Sequence, residues 1–279
     1  MGGKFKRLIW LWMQCFKSMK NVMTFVPFLI YAILQGILLF SLTNFSQTPF
    51  SNIFVPIINK LFGEPALHYP NFYLILSPFY SQINIVLSGL IGIMVIGMAT
   101  YLFAGTFNGE KHGFGQSVKM TLPKYGLLFV IWIIETALTL LMIIGIPQLL
   151  KSFLQPDYRL GQIFEMIGLL FAILTASIFA FTTVLIILER QKLFKAIAKT
   201  VVIFKRNAVT TFFLVAAPTL IYFPINYLTR KAPVLITKHS PEIIVTILAA
   251  GIFVSLIASY FQIGSITRFY LLLNQSRKY

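Results

Sequence analysis

Residues 163–199 read IFEMIGLLFAILTASIFAFTTVLIIL-ERQKLFKAIAK, and the change of character at Glu189 decides the fold class. Ile163–Leu188 is a run of 26 residues with one charge, Glu165. A helix needs about 20 apolar residues to cross the hydrocarbon core of a bilayer. Arg190, Lys192, Lys195 and Lys199 then follow in quick succession. An apolar run that stops against a basic segment is the pattern of a membrane-crossing helix held at its inner end.

The same alternation recurs along the chain. The expected spans are 22–42, 83–106, 125–146, 163–188, 210–228 and 243–267. An earlier start for the second span, near Leu74, runs against Pro78, where a break is expected. The first run lacks a clear small-residue cleavage site and is long enough to span, so it is expected to stay as a helix.

Composition agrees. Of 279 residues, 58% are hydrophobic and 11% charged, against about 25% charged in soluble domains. The net charge of +16 suits either nucleic acid or an anionic membrane surface. Because the basic residues flank apolar spans, the reading is an anionic lipid surface and no nucleic acid. Of the 23 Lys and Arg, 17 fall on the side that holds both termini and 6 on the other. Positive charge stays inside, so both termini are expected to be cytoplasmic and the localisation a cell's inner (cytoplasmic) membrane. The fold class is all-α: a six-helix transmembrane bundle with basic amphipathic interfacial helices, forming one membrane domain over 1–279.

Basic amphipathic segments precede three of the spans. In 1–21, Phe5, Leu8, Ile9, Trp12, Cys15, Phe16 and Met19 recur at helical spacing, with Lys4, Arg7 and Lys17 on the other side. Before the fifth span, Leu193, Ile197, Val201 and Phe204 make the apolar face, and Lys192, Lys195 and Lys199 lie mostly off it. Phe114, Val118 and Leu122 form a shorter version before the third. Lys20–Phe25 also resembles Arg206–Phe212, which suggests three units of amphipathic helix plus hairpin. Such helices lie in the interface with lysines toward lipid headgroups. They serve either as a lipid-gripping surface or as plain anchors for the bundle. The long connector 43–82 carries another apolar stripe, interrupted by Pro56, and then Tyr69, Phe72, Tyr73, Phe79 and Tyr80. Aromatic rings favour the headgroup level, so this segment is expected on the outer surface.

Glu135 is the acid well inside a span, about 15 Å deep by helical rise. An intramembrane carboxylate marks a functional site by default. Gln35, Thr175, Ser177, Tyr222 and Ser255 are its depth-matched polar partners. It is read two ways: a neutral carboxyl in an interhelical hydrogen bond, or a group facing water or a bound cation. Pro218 and Pro224 are expected to kink the fifth span, a device of transporters and also an ordinary feature of membrane helices. Ala172/Ala176/Ala180, Gly251/Ser255/Ser259 and the run Ser88, Gly92, Gly97, Gly105 mark close helix contacts.

No reaction is legible. Cys15 is a single cysteine, and His68, His112 and His239 lie in separate connectors, so no metal site or cofactor is expected. Nucleophile-elbow, zincin and P-loop patterns are absent from the sequence. No enzyme is expected.

The segment Glu189–Thr200, followed by Phe204-Lys205-Arg206-Asn207, resembles the multi-pass membrane domain found beside some bacterial glycerophosphodiester phosphodiesterases and its stand-alone relatives. The acid after a span, the Ala-Ile helix core and the basic-Asn step into the next span carry the resemblance. It implies a six-span membrane module with a long first outer connector, associated with lipid. The catalytic domain is not in this sequence, so no catalytic residue carries over. The expected function is a membrane-organising, lipid-associated or accessory protein, with a protein partner or oligomer. The alternative is a small transporter or permease built on Glu135 and the fifth helix.

Overall fold

The computed structural model describes residues 2–154 and 158–275, with side chains over 5–153 and 160–275. Arg277 and Lys278 and the side chains of Lys4 and Arg159, all counted in the charge reading, lie outside the described residues. The described residues are mostly helical, without a strand, as the sequence leads one to expect. Six helices are long and apolar enough to cross a membrane: Val26–Thr43, Asn71–Asn108, Phe114–Phe153, Leu160–Leu188, Leu193–Ile221 and Ile243–Gln275. This is the architecture of a multi-pass membrane protein.

In chain order the helices are α1 (Gly2–Ser18), α2 (Val26–Thr43), α3 (Ser51–Phe62), α4 (Asn71–Leu87), α5 (Ile93–Asn108), α6 (Phe114–Thr121), α7 (Tyr125–Leu140), α8 (Ile146–Leu154), α9 (Tyr158–Phe179), α10 (Thr182–Leu188), α11 (Leu193–Ile221), α12 (Phe223–Arg230), α13 (Ala232–Lys238) and α14 (Ile243–Gln275). The chain divides into two compact units. The first is Met1–Pro27, Gly92–Thr219 and Tyr260–Tyr279, and the second is Phe28–Ile91 and Leu220–Ser259.

The first unit is organised around α5. Val95, Gly97–Thr100 and Leu102–Gly105 are all buried, so this helix is covered nearly all round. It packs against α1, α6, α7 and α10. Small residues permit this. A Cβ on Gly97 would lie 2.5 Å from Thr121 Cγ2, and one on Gly105 would lie 2.2 Å from His112 Nδ1. The partners of these glycines are side chains of the following connector and α6. His112 folds back to stack on Tyr101 at 4.3 Å and pairs with Glu110 at 2.8 Å.

All three basic amphipathic segments belong to this unit, and each meets its span at a distorted turn. Asn21 caps a 3₁₀ turn, its Oδ1 accepting from Met23 N at 3.2 Å. Pro123 sits in a 3₁₀ turn, Leu122–Lys124. Asn207, at φ −132° and ψ 27°, breaks the helical backbone inside α11. The two matching sequence segments thus place Asn21 and Asn207 at equivalent bends.

Each of these helices buries only part of its apolar face in the protein. α1 buries Leu8, Leu11, Cys15 and Ser18 and leaves Phe5, Ile9, Met13 and Phe16 exposed. α6 buries Ser117 and Thr121 while Leu122 is exposed. The first half of α11 fully buries Ala196, Thr200 and Ile203, with Leu193, Ile197, Val201 and Phe204 only half-buried beside them. Small and hydroxylic residues let the helices approach closely, and several of the larger apolar ones stay on the protein surface.

The second unit has its own core, in which Leu42, Phe45, Ile58, Phe72, Leu76 and Ile244 are buried together. Here the structure corrects two expectations. α4 starts at Asn71 and runs through Pro78, and the distortion falls at a π-turn over Ser88–Gly92 instead. Phe72, Phe79 and Tyr80 are core residues rather than a surface belt; only Tyr69 of that group is exposed. They lie with Leu76 on one face of a continuous helix, and running through Pro78 keeps that face in register. α3 likewise continues through Pro56, burying Ile58 and exposing Ile53, Ile57 and Leu61.

Candidate functional site

The residues singled out from sequence are distributed over both units. Glu135, Thr175 and Ser177 belong to the first, and Gln35, Tyr222 and Ser255 to the second. Glu135 extends the buried stripe Leu128–Ile131 of α7 by one turn, so its helical position is on the protein-facing side. It is half-buried, and among the described residues its carboxylate has no hydrogen-bond or ion-pair partner. Thr175 donates to Phe171 O at 3.0 Å and Ser177 to Ile173 O at 2.7 Å, so both hydroxyl protons are committed to their own helix. Ser255 does the same with Ile252 O at 2.8 Å. Gln35 donates to Asn84 Oδ1 at 2.9 Å. Tyr222 OH lies where a Cβ on Gly251 would approach within 3.2 Å, so Gly251 makes room for a tyrosine.

The two prolines take different roles. Pro218 is buried within α11, where Asn207 is the residue with non-helical backbone. Pro224 occupies the first turn of α12, where its missing N–H leaves no intrahelical bond unmade. α11 therefore bends at Asn207, before the expected span begins, and the expected span 210–228 is itself interrupted between the two prolines, where α11 ends at Ile221 and α12 begins at Phe223.

Of the expected headgroup residues, Arg7, Lys17, Lys192 and Lys195 are exposed. Lys199 is not free. Its ammonium pairs with Glu189 Oε2. Glu189 is the centre of a network that sequence reading did not assemble. Gln191 Nε2 also donates to Oε2, and Tyr270 OH and Asn274 Nδ2 donate to Oε1, the latter at 3.4 Å. Asn274 Nδ2 also reaches Tyr270 OH at 3.1 Å. The carboxylate sits just after α10, in a tight connector where Arg190 has φ +53°. One half-buried acid thereby ties the connector, α11 and the end of α14 together. Glu189, Gln191 and Lys199 all lie in the segment whose pattern stood out in the sequence; Tyr270 and Asn274 carried no signal there.

Beside Lys199 an open groove runs along the first half of α11, lined by Lys195, Ala198, Lys199, Val202, Ile203 and Arg206. Lys195 and Arg206 have no acidic partner among the described residues. A second cationic group, Arg268, lies between the rings of Trp10 and Phe107, each 5.3 Å away, and donates to Phe107 O at 3.3 Å. Next to it Cys15 is buried, and burial pushes its thiol up to about 12. At the α1 elbow, Tyr260 OH meets Ser18 Oγ at 3.0 Å and Thr24 Oγ1 at 2.9 Å.

Among the described residues no three His, Cys, Asp or Glu side chains are grouped to hold a metal ion. The arrangement offers cations, apolar surface and a fixed carboxylate. No family model, curated protein or solved structure matches this chain.

Proposed function

We propose that this is a non-enzymatic, lipid-associated protein of a cell's cytoplasmic membrane, with both termini on the cytoplasmic side, acting as a membrane-organising factor or accessory subunit. The observation that carries the reading is α1. Its exposed stripe Phe5, Ile9, Met13 and Phe16 adjoins exposed Lys6 and Lys17, while its opposite face is anchored by Leu8, Leu11 and Cys15 in the protein. A helix fixed on one side and apolar-plus-basic on the other is suited to an anionic leaflet. The charge count of 17 against 6 supports the cytoplasmic placement. The test is the melting temperature of the purified protein in nanodiscs. Phosphatidylglycerol is expected to raise it over phosphatidylcholine; equal values with both lipids would overturn the reading.

A second reading rests on Glu135, whose half-buried carboxylate lacks a partner among the described residues. It makes the protein a small transporter with an aqueous path to that depth. A cysteine at position 135, in a Cys15→Ser background, tests it. Labelling by a membrane-impermeant thiol reagent from either side supports a path, and protection from both sides in folded protein removes the open-path form of this reading.

A further inference from the structure

We propose that the groove on the first half of α11 is a discrete, saturable binding site for one anionic phospholipid. This rests on the lipid-associated reading above and gives it a place. The groove, an open face of α11, is lined by three cations and three apolar residues. On the helix, Lys195 and Lys199 are one turn apart, about 6 Å along the axis, so their long side chains can converge on one phosphate. Arg206 lies about 10 Å further on by the same rise, beside the Asn207 bend where the chain turns into its apolar span. The groove therefore opens at the level where a phospholipid changes from headgroup to acyl chain. Ala198 and Val202 are exposed along it and Ile203 is buried beneath. This floor has no use to a free phosphate ion, but it offers an acyl chain apolar surface.

The site is built rather than incidental. Lys199 is held by Glu189, and Glu189 is in turn held by Gln191, Tyr270 and Asn274. An ammonium has three donors, so Lys199 keeps donors for a ligand while its position is fixed. With Glu189 balancing one cation, two positive charges remain in the groove, more than the single negative charge of a phosphodiester. Holding the cations in place before binding lowers the ordering cost of taking up the lipid.

Native mass spectrometry of the full-length protein tests this, with dioleoylphosphatidylglycerol, the matching phosphatidylcholine and inorganic phosphate as probes. The wild type is expected to take up one phosphatidylglycerol ahead of all others, unaffected by millimolar phosphate. The double substitution Lys195→Gln/Arg206→Gln, both outside the Glu189 network, is expected to weaken that first site by about thirtyfold. Val202→Glu, which puts an anion into the groove at an exposed position, is a second variant with the same expected direction. Lys6→Gln/Lys17→Gln on α1 is expected to leave the first site unchanged. If both groove variants bind like wild type while the α1 variant loses the lipid, the groove proposal falls and the lipid-associated reading stands. If wild type does not prefer phosphatidylglycerol, both fall. Displacement by inorganic phosphate would make this a phosphate site and overturn the lipid assignment.

Discussion

Tyr270 donates its phenolic hydrogen to Glu189, a residue 81 positions earlier in the chain. This bond links the last helix to the connector that precedes α11, and the same carboxylate holds Lys199. The connector, the amphipathic half of α11 and the end of α14 are thereby one mechanical piece.

Removing the centre of that network is expected to cost more than removing one spoke. Tyr270→Phe deletes one charge-assisted hydrogen bond, about 1.5–3 kcal/mol, together with the bond from Asn274 Nδ2 to the same hydroxyl. Glu189→Ala deletes all four bonds to the carboxylate and leaves Lys199 and the Tyr270 hydroxyl without their acceptor, so its loss is expected to be larger. Thermal unfolding in detergent, followed by the remaining monodisperse fraction, ranks the two. An Ala variant no less stable than the Phe variant would show that Glu189 does not organise this region.

Gly97 and Thr121 provide a test of close approach. Gly97→Ala places a methyl group 2.5 Å from Thr121 Cγ2 and 3.1 Å from Leu128 Cδ1. The expected loss is about 1–3 kcal/mol, the range for overpacking. Thr121→Ser removes the colliding methyl and is expected to restore much of the stability in the double variant. Absence of rescue would place the strain at Leu128.

Cys15 is expected to be inert to maleimide at pH 7–8 while the protein is folded. Burial raises its thiol from 9.0 to about 12, and the thiolate is the reactive species. The sign of the linked effect follows. The folded state holds its proton more tightly than the unfolded state. The contribution is therefore fully present below pH 9 and is lost as pH rises toward 12. Labelling that begins only at the unfolding temperature would agree; rapid labelling of folded protein would not.

Glu135→Gln is expected to leave thermal stability within about 0.5 kcal/mol of wild type, the scale of substitutions that break no specific interaction. The carboxylate has no partner among the described residues to lose. A drop of several degrees in melting temperature would mean that the ionised or protonated acid makes a structural bond.

Much of the site was hidden from sequence for identifiable reasons. Lys199 reads as a headgroup lysine because its neighbours along the helix are basic; its partner Glu189 sits ten positions back, across a tight turn. Phe72, Phe79 and Tyr80 read as an interfacial belt because aromatic residues favour that level, yet α4 carries them on its inward face. Pro78 reads as a break, but the backbone departs from α-helical form at Ser88–Gly92 instead; Pro218 and Pro224 read as kinks, and the helix is interrupted between them at Tyr222. A proline removes one donor locally, whereas where a long helix bends depends also on what it packs against.

By itself the sequence determined the all-α class, six apolar crossings and the repeated step from a basic amphipathic segment into a span. These are local properties: the length of an apolar run and the charge at its ends. Only the tertiary structure decided which apolar face is core and which is left exposed, as in α1, where Leu11 is buried and Phe16 exposed. In water, hydrophobicity separates inside from outside. In a bilayer both are apolar, and the choice passes to shape: Ser117, Thr121 and Thr200 go inward because they are small. Tertiary structure also decided the union of Glu189 with Tyr270, since bonds between distant residues exist only once packing has brought their helices together.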